Sequence, residues 1–204
     1  MGDILFVGDV QGCAAELHDL LLLAGFDRRR HRLALCGDLV NRGPDSVGVL
    51  QLARGLDALT VIGNHEVALL EGRRTATLDA VRRQLGPALD EWLAWIESWP
   101  TFVQGDGYIL VHAGIAPGKR PEQCTREELT ELRTVDGQPW FDFWCGPETV
   151  IFGHWAQRGR VDLELCKGLD TGCVYGGELT GLWWPRLDWV SVPARRRYYE
   201  RVRD

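Results

Sequence analysis

Five short apolar runs in this chain stop abruptly at a glycine or a histidine, and each stop carries a side chain suited to metal or proton chemistry. Ile4–Val7 runs into Gly8-Asp9 and Leu33–Cys36 into Gly37-Asp38. Leu59–Ile62 runs into Gly63-Asn64, Tyr108–Val111 into His112-Ala113-Gly114, and Val150–Phe152 into Gly153-His154. Short runs without polar alternation predict strands buried on both faces. After three of them helical patterns follow, over Ala14–Ala24, Ser46–Arg54 and His65–Leu70. Pro44 sits near the start of the second, and Gly25, Gly55 and Gly72 stand where C-terminal caps are expected. This alternation predicts an α/β layered fold, in which ligands gather at the carboxyl ends of the strands. Asp9, Asp38, Asn64, His112 and His154 would meet there.

The rest of the chain reads differently. Thr77–Pro100 predicts two helices broken at Gly86-Pro87, a small helical cap or side layer over about 74–100. Residues 117–147 are irregular apart from a helix expected at Arg126–Arg133. Beyond Val161 the pattern is strand-like over Val161–Cys166, Glu178–Trp184 and Leu187–Val192, with Gly176-Gly177 expected as a hairpin turn. No linker or repeat divides the sequence, so one domain spanning 1–204 is expected. No apolar run approaches the roughly 20 residues a membrane helix needs, and Met1-Gly2-Asp3 opens no signal segment. A cytoplasmic monomer without membrane attachment is the expectation. Six cysteines without close pairing read as reduced thiols. A net charge of −6 argues against bulk nucleic-acid binding. The basic tail from Arg195 reads as a solvated terminus.

Two divalent cations lying close together need a bridging carboxylate and several oxygen and nitrogen ligands, and hold water between them as a nucleophile. Asp38 suits the bridge, Asp9 the first metal, and Asn64, His112 and His154 the second. The absence of cysteine from this set favours harder ions such as manganese, iron or cobalt over a structural zinc. Arg42, four residues past Asp38, offers a guanidinium fork for phosphoryl oxygens. His65, next to Asn64, is placed to protonate a leaving oxygen. Such a set points to hydrolysis of a phosphoester or phosphoanhydride.

The ordered segments "GDVQGC", "GDLVNRG", "GNHE", "HAG" and "GHW" resemble the motifs of the calcineurin-like metallophosphoesterases, in the branch shared with the serine/threonine protein phosphatases. The resemblance implies a β-sandwich flanked by helices, with two metals at one edge of the sheets and the C-terminal strands packed as a second sheet. It also implies Asp9, Asp38, Asn64, His112 and His154 as ligands and Arg42 and His65 as catalytic residues. Gln11 stands where the protein phosphatases carry a histidine, and Asn41 where they carry the aspartate that orients the catalytic histidine. Both forms, together with "FGHWA" and "LDTGCVYGG", resemble the symmetrical diadenosine tetraphosphate hydrolases. That branch implies cleavage of a dinucleoside polyphosphate into two ADP, with capped RNA 5′ ends as a related substrate. It implies two divalent ions, manganese by preference, with cobalt, iron or zinc as alternatives.

The alternatives are a serine/threonine or tyrosine phosphoprotein phosphatase with the same dinuclear site, and a non-catalytic nucleotide binder degraded at Gln11. The Gln11 amide oxygen either ligates a metal or holds its water, and as a neutral oxygen it would hold one ion loosely. Asp170 either orients a ligand histidine or holds a tight turn. Trp155 and Tyr175 either stack on adenine or pack in the core. Arg158 either meets the polyphosphate or lies in an exposed loop.

Overall fold

The computed structural model describes residues 2–200, so Met1 and the last part of the basic tail, 201–204, lie outside the described residues. In chain order, β1 (Ile4–Val7) leads through α1 (Ala14–Leu23) to β2 (Arg32–Leu35), α2 (Ser46–Gly55) and β3 (Leu59–Thr60). Three helices follow, α3 (Asn64–Leu70), α4 (Ala76–Leu85) and α5 (Leu89–Glu97), then β4 (Phe102–Gln104) and β5 (Tyr108–Val111). Helix α6 (Arg126–Glu131) and a small hairpin of β6 (Thr134–Val135) and β7 (Gln138–Pro139) come next. The remaining strands are β8 (Thr149–Phe152), β9 (Val161–Leu163), β10 (Cys166–Gly168), β11 (Glu178–Trp184) and β12 (Asp188–Pro193).

Two five-stranded sheets form, in the orders β12-β11-β1-β2-β3 and β4-β5-β8-β10-β9. Strands β1, β2 and β3 run parallel in the first, and β5, β8 and β10 in the second. Antiparallel strands flank each trio. Alternate residues of the central strands meet between the sheets: Ile4 and Phe6, Ala34, Tyr108 and Leu110, Ile151 and Leu182. Phe6 and Tyr108 pack edge to face there, 5.0 Å apart. The intervening residues point outward. Leu5, Val7, Leu33 and Leu35 pack under α1 and α2, while Ile109, Val111, Val150 and Phe152 pack under Trp140 and Phe141. Both faces of every central strand are therefore covered, which is why these runs are continuously apolar.

Four expectations need correction. The C-terminal strands do not all form the second sheet: β9 and β10 do, but β11 and β12 extend the first, with Phe6 of β1 facing Leu182 in antiparallel register. Strand β11 is buried on both faces from Leu179 to Trp183, so it fits beside β1 and leaves β12 as the edge. Val161–Cys166 is a hairpin, β9 and β10, rather than one strand. Gly176-Gly177 is no hairpin turn, because β10 and β11 belong to different sheets; it is a tight crossing where a Cβ on Gly177 would lie 2.2 Å from the Thr171 carbonyl oxygen. Gly55 stays helical, and Asp57 takes the left-handed conformation after α2. Helices α4 and α5 bury Leu78, Val81, Leu85, Trp92 and Ile96 against the α2 and α3 side of the core, making a side layer and not a cap. Among the described residues no helix is long and apolar enough to cross a membrane.

Candidate metal centre

The parallel arrangement brings six carboxyl ends to one rim. Asp9 follows β1, Asp38 follows β2, Asn64 follows β3, His112 follows β5, His154 follows β8 and Asp170 follows β10. The backbone there is forced into unusual shapes. Eight described non-glycine residues have positive φ, and five of them lie at this rim: Gln11 (45°), Asp38 (50°), Asn41 (83°), Arg42 (61°) and His154 (67°). Such conformations cost on the order of 1–3 kcal/mol each, and persist where the surroundings over-determine them. Close approach is equally demanding at Gly153, where a Cβ would sit 2.0 Å from an Asp9 carboxylate oxygen.

Four acceptor atoms converge on one point. The His112 ring donates from Nδ1 to the Cys36 carbonyl at 2.7 Å, which leaves Nε2 as an acceptor, 3.1 Å from Asn64 Oδ1 and 3.4 Å from Asp38 Oδ1. The His154 ring donates from Nε2 to the Glu131 carbonyl at 3.2 Å, leaving Nδ1 as an acceptor 3.1 Å from the same Asn64 oxygen. Burial, with His112 and Arg133 nearby, holds His154 well below the usual histidine range, so its ring is neutral. Backbone carbonyls thus fix both tautomers, as ligating histidines require. With the rings in these tautomers, the acceptor atoms of Asp38, Asn64, His112 and His154 face one another, and a cation satisfies such a set. Ligand atoms of Asp38, His112 and His154 lie within 4.8 Å of one another, all buried.

Beside this point lies a second electron-rich pocket. The Asp9 carboxylate accepts the His154 N–H at 3.0 and 3.1 Å. Burial, then Asp170 and Asp38, push Asp9 well above the usual carboxylate range. Burial pushes Asp170 up to about 6, and Asp38 adds to the effect against an N–H from Gly172. Asp38 differs: burial raises it, but His65, His112 and His154 together hold it below the ordinary range. Three buried carboxylates crowded in this way fit positive charge between them. The Gln11 amide nitrogen donates to Asp38 Oδ2 at 3.3 Å, so its side chain borders this pocket. The donor sets of both pockets, oxygen and imidazole without sulfur, fit divalent metal ions.

Above them opens a cleft of about 270 Å³, lined by Arg42, His65, Arg133, Gln157, Tyr175 and Tyr199 among others. The Arg42 guanidinium donates to the Tyr175 hydroxyl and lies over the rings of Tyr175 and Tyr199, at 5.5 and 5.6 Å. His65 Nδ1 faces the Val40 carbonyl at 3.2 Å and Asp38 Oδ2 at 3.5 Å. Burial, then Arg42 against the pull of Asp38, lowers His65 to about 4. The Asn41 side chain instead accepts the Arg42 N–H at 3.0 Å. The orienting contact expected of Asn41 is thus made to His65 by a backbone carbonyl one residue earlier.

Of the other candidates, Asp170 and Tyr175 line the cleft; Trp155 and Arg158 do not. A turn closed by the Arg158 N–H on the Trp155 carbonyl turns Ala156 and Gln157 inward. Trp155 and the Arg158 guanidinium pack instead on Phe141. No described residue from 74–100 lines the cleft.

Three residues escaped the sequence reading. Glu66 is buried, with Oε2 accepting from Asp38 and Gly63 at 2.8 and 3.0 Å and Oε1 from Leu39 and Val40 at 2.9 and 3.1 Å. Its signal was the glutamate three residues after Gly63 in "GNHE", a capping-box spacing. Arg133 and Tyr199 reach the cleft from the connection between α6 and β6 and from the C-terminal segment, and no local pattern announces either.

The model for the calcineurin-like phosphoesterase family matches residues 2–178. The symmetrical bis(5′-nucleosyl)-tetraphosphatase of Methylococcus capsulatus is 33% identical over 277 residues, covering 97% of this chain and 98% of the relative. A crystal structure of a "putative diadenosine tetraphosphatase" superposes with a TM-score of 0.87 at 34% identity, covering 95% of this chain and 94% of that one. A cold-active protein tyrosine phosphatase shares the fold alone, with a TM-score of 0.63 at 17% identity over 97% of this chain and 80% of its own.

Proposed function

The chain belongs to the calcineurin-like phosphoesterase family, and from that premise we propose that it is a metal-dependent hydrolase splitting diadenosine tetraphosphate symmetrically into two ADP. The observation that carries the chemistry is the convergence of oxygen and imidazole groups from Asp38, Asn64, His112 and His154 beneath a cleft lined by Arg42 and Arg133. The choice of substrate is supported by relatives of that name over nearly the whole chain.

In this reading Asp38, Asn64, His112 and His154 hold one divalent ion, and Asp9, Asp38 and Gln11 hold the other, manganese in both. Bound there, such ions offset phosphoryl charge and lower the pKa of an attacking water. Arg42 forks onto the phosphoryl oxygens, held in place by the Tyr175 hydroxyl and the two tyrosine rings. Arg133 adds a second guanidinium to the cleft lining. His65 is held neutral by its burial; an entering polyphosphate brings negative charge that raises its proton affinity. Its ring, held at Nδ1 by Val40, then delivers a proton to the departing ADP oxygen from Nε2. Capped RNA 5′ ends carry the same anhydride and are read as a secondary substrate. The chain acts as a single-domain monomer in the cytoplasm.

The test is incubation with manganese and diadenosine tetraphosphate, with products separated by chromatography. ADP alone is expected. ATP with AMP would keep the chemistry and overturn the position of attack. No turnover, with a phosphopeptide hydrolysed instead, would transfer the protein to the phosphoprotein phosphatases.

A further inference from the structure

Away from the cleft, a second cluster of ligand atoms is buried beneath the loops that build it. Cys13 precedes α1, Glu16 lies in the first turn of α1, and Cys173 begins the turn after Asp170-Thr171-Gly172. All three are at most 1% exposed. The two sulfurs and a Glu16 carboxylate oxygen lie within 4.8 Å of one another. The two oxygens of Glu16 have different surroundings. Oε1 accepts the Tyr198 hydroxyl at 2.7 Å and the Arg195 N–H at 3.0 Å. Oε2 is buried and has no hydrogen-bond partner among the described residues.

A buried carboxylate oxygen without a partner calls for a cation or an ordered water. We propose that Cys13, Cys173 and Glu16 bind one thiophilic divalent cation of the zinc class, separate from the cleft ions. Two sulfurs and one oxygen select zinc over the hard ions that suit the oxygen and imidazole donors of the cleft. As the ion enters, each thiol gives its proton to solvent and its sulfur ligates as thiolate. Spacing within 4.8 Å leaves only a small contraction to the separations that metal–sulfur bonds of about 2.3 Å impose. A disulfide between the same sulfurs would leave the Glu16 oxygen as it is, without a partner. The ion would tie the loop carrying Gln11 to the turn carrying Asp170 and Tyr175, so it positions the cleft without touching substrate.

Cobalt(II) titration of the reduced full-length protein tests this, since thiolate ligation gives a near-ultraviolet charge-transfer band that oxygen and imidazole donors do not. One equivalent of that band is expected, displaced by zinc, present in Cys36→Ala and lost in Cys173→Ala. Glu16→Gln should weaken cobalt binding by at least the roughly tenfold that loss of even an outer-shell partner costs. That variant keeps the test open if Cys173→Ala does not fold. A wild-type protein without the band overturns the proposal. So does a band at full strength in Cys173→Ala, unchanged affinity in Glu16→Gln, or a native mass two hydrogens light from a Cys13–Cys173 disulfide.

Discussion

Replacing Glu66 by glutamine removes one charge and almost no volume, yet it should destabilise the whole rim. The carboxylate receives four backbone N–H groups, two on each oxygen, from Asp38, Leu39, Val40 and Gly63. Burial and Asp38 push Glu66 up to about 8 while these N–H groups pull the other way, so the two proteins are compared at pH 9, where the carboxylate is ionised. All four partners are donors, so the arrangement needs an acceptor at both ends. Glutamine supplies one. Whichever way its amide turns, an NH₂ faces two N–H groups that have no other acceptor. Each stranded donor costs about 1–3 kcal/mol, and partial relaxation puts the total near 3 kcal/mol. For a chain of this size 1 kcal/mol lowers Tm by about 2–4 °C, so a fall of about 6–12 °C is expected. Differential scanning calorimetry of the metal-free protein measures it directly. The same variant should bind a divalent ion more weakly by isothermal titration, because the Asp38 and Val40 backbone has lost its brace. A Tm fall below about 2 °C would show that the four contacts are not the constraint described, and the reasoning would fail with them.

Further outcomes follow from the same geometry. His65→Ala should lower kcat by about 10²–10⁴-fold with Tm unchanged, and full activity in that variant would sink the assigned role. Arg42→Lys keeps the charge but loses the planar fork and its seat between Tyr175 and Tyr199; kcat/KM should fall by about 10²-fold, read from steady-state kinetics. After dialysis against chelator, atomic absorption should find one ion retained by the two-histidine pocket and the Gln11 pocket depleted, and Gln11→His should restore retention of both; two ions held tightly by the wild type would contradict this. Burial and the Glu16 carboxylate push Tyr198 up to about 12 from the ordinary 10. The native state therefore holds that proton more tightly, and the stability it contributes is complete below pH 10 and lost as pH rises toward 12. Alkaline unfolding followed by circular dichroism should show this loss in the wild type and not in Tyr198→Phe.

What could be read from the sequence, and what could not, divides along the distance over which each signal acts. Asp9, Asp38, Asn64, His112 and His154 each follow an apolar run directly, so the strand end that positions them is written beside them. Glu66 carried a local signal too, because a cap acts over three residues. Strand pairing is different. Nothing near Leu179–Trp183 distinguishes a neighbour of β1 from a member of the other sheet, since both environments are apolar on two faces. Trp155 and Arg158 lie outside the cleft lining for a related reason: a single turn sets the inner pair of 155–158, Ala156 and Gln157, toward the cleft and the outer pair away from it, and composition does not contain that turn. Tyr199 is the clearest case. It comes from a tail that reads as solvent-exposed, yet the Tyr198 hydroxyl reaches the buried Glu16, and this contact turns the next residue onto Arg42. The tail is therefore held by a polar contact inside the core, and the same glutamate leaves its second oxygen for Cys13 and Cys173. One buried carboxylate thus links the C-terminal segment, the first helix and the arginine that lines the cleft, across a separation no sequence window spans.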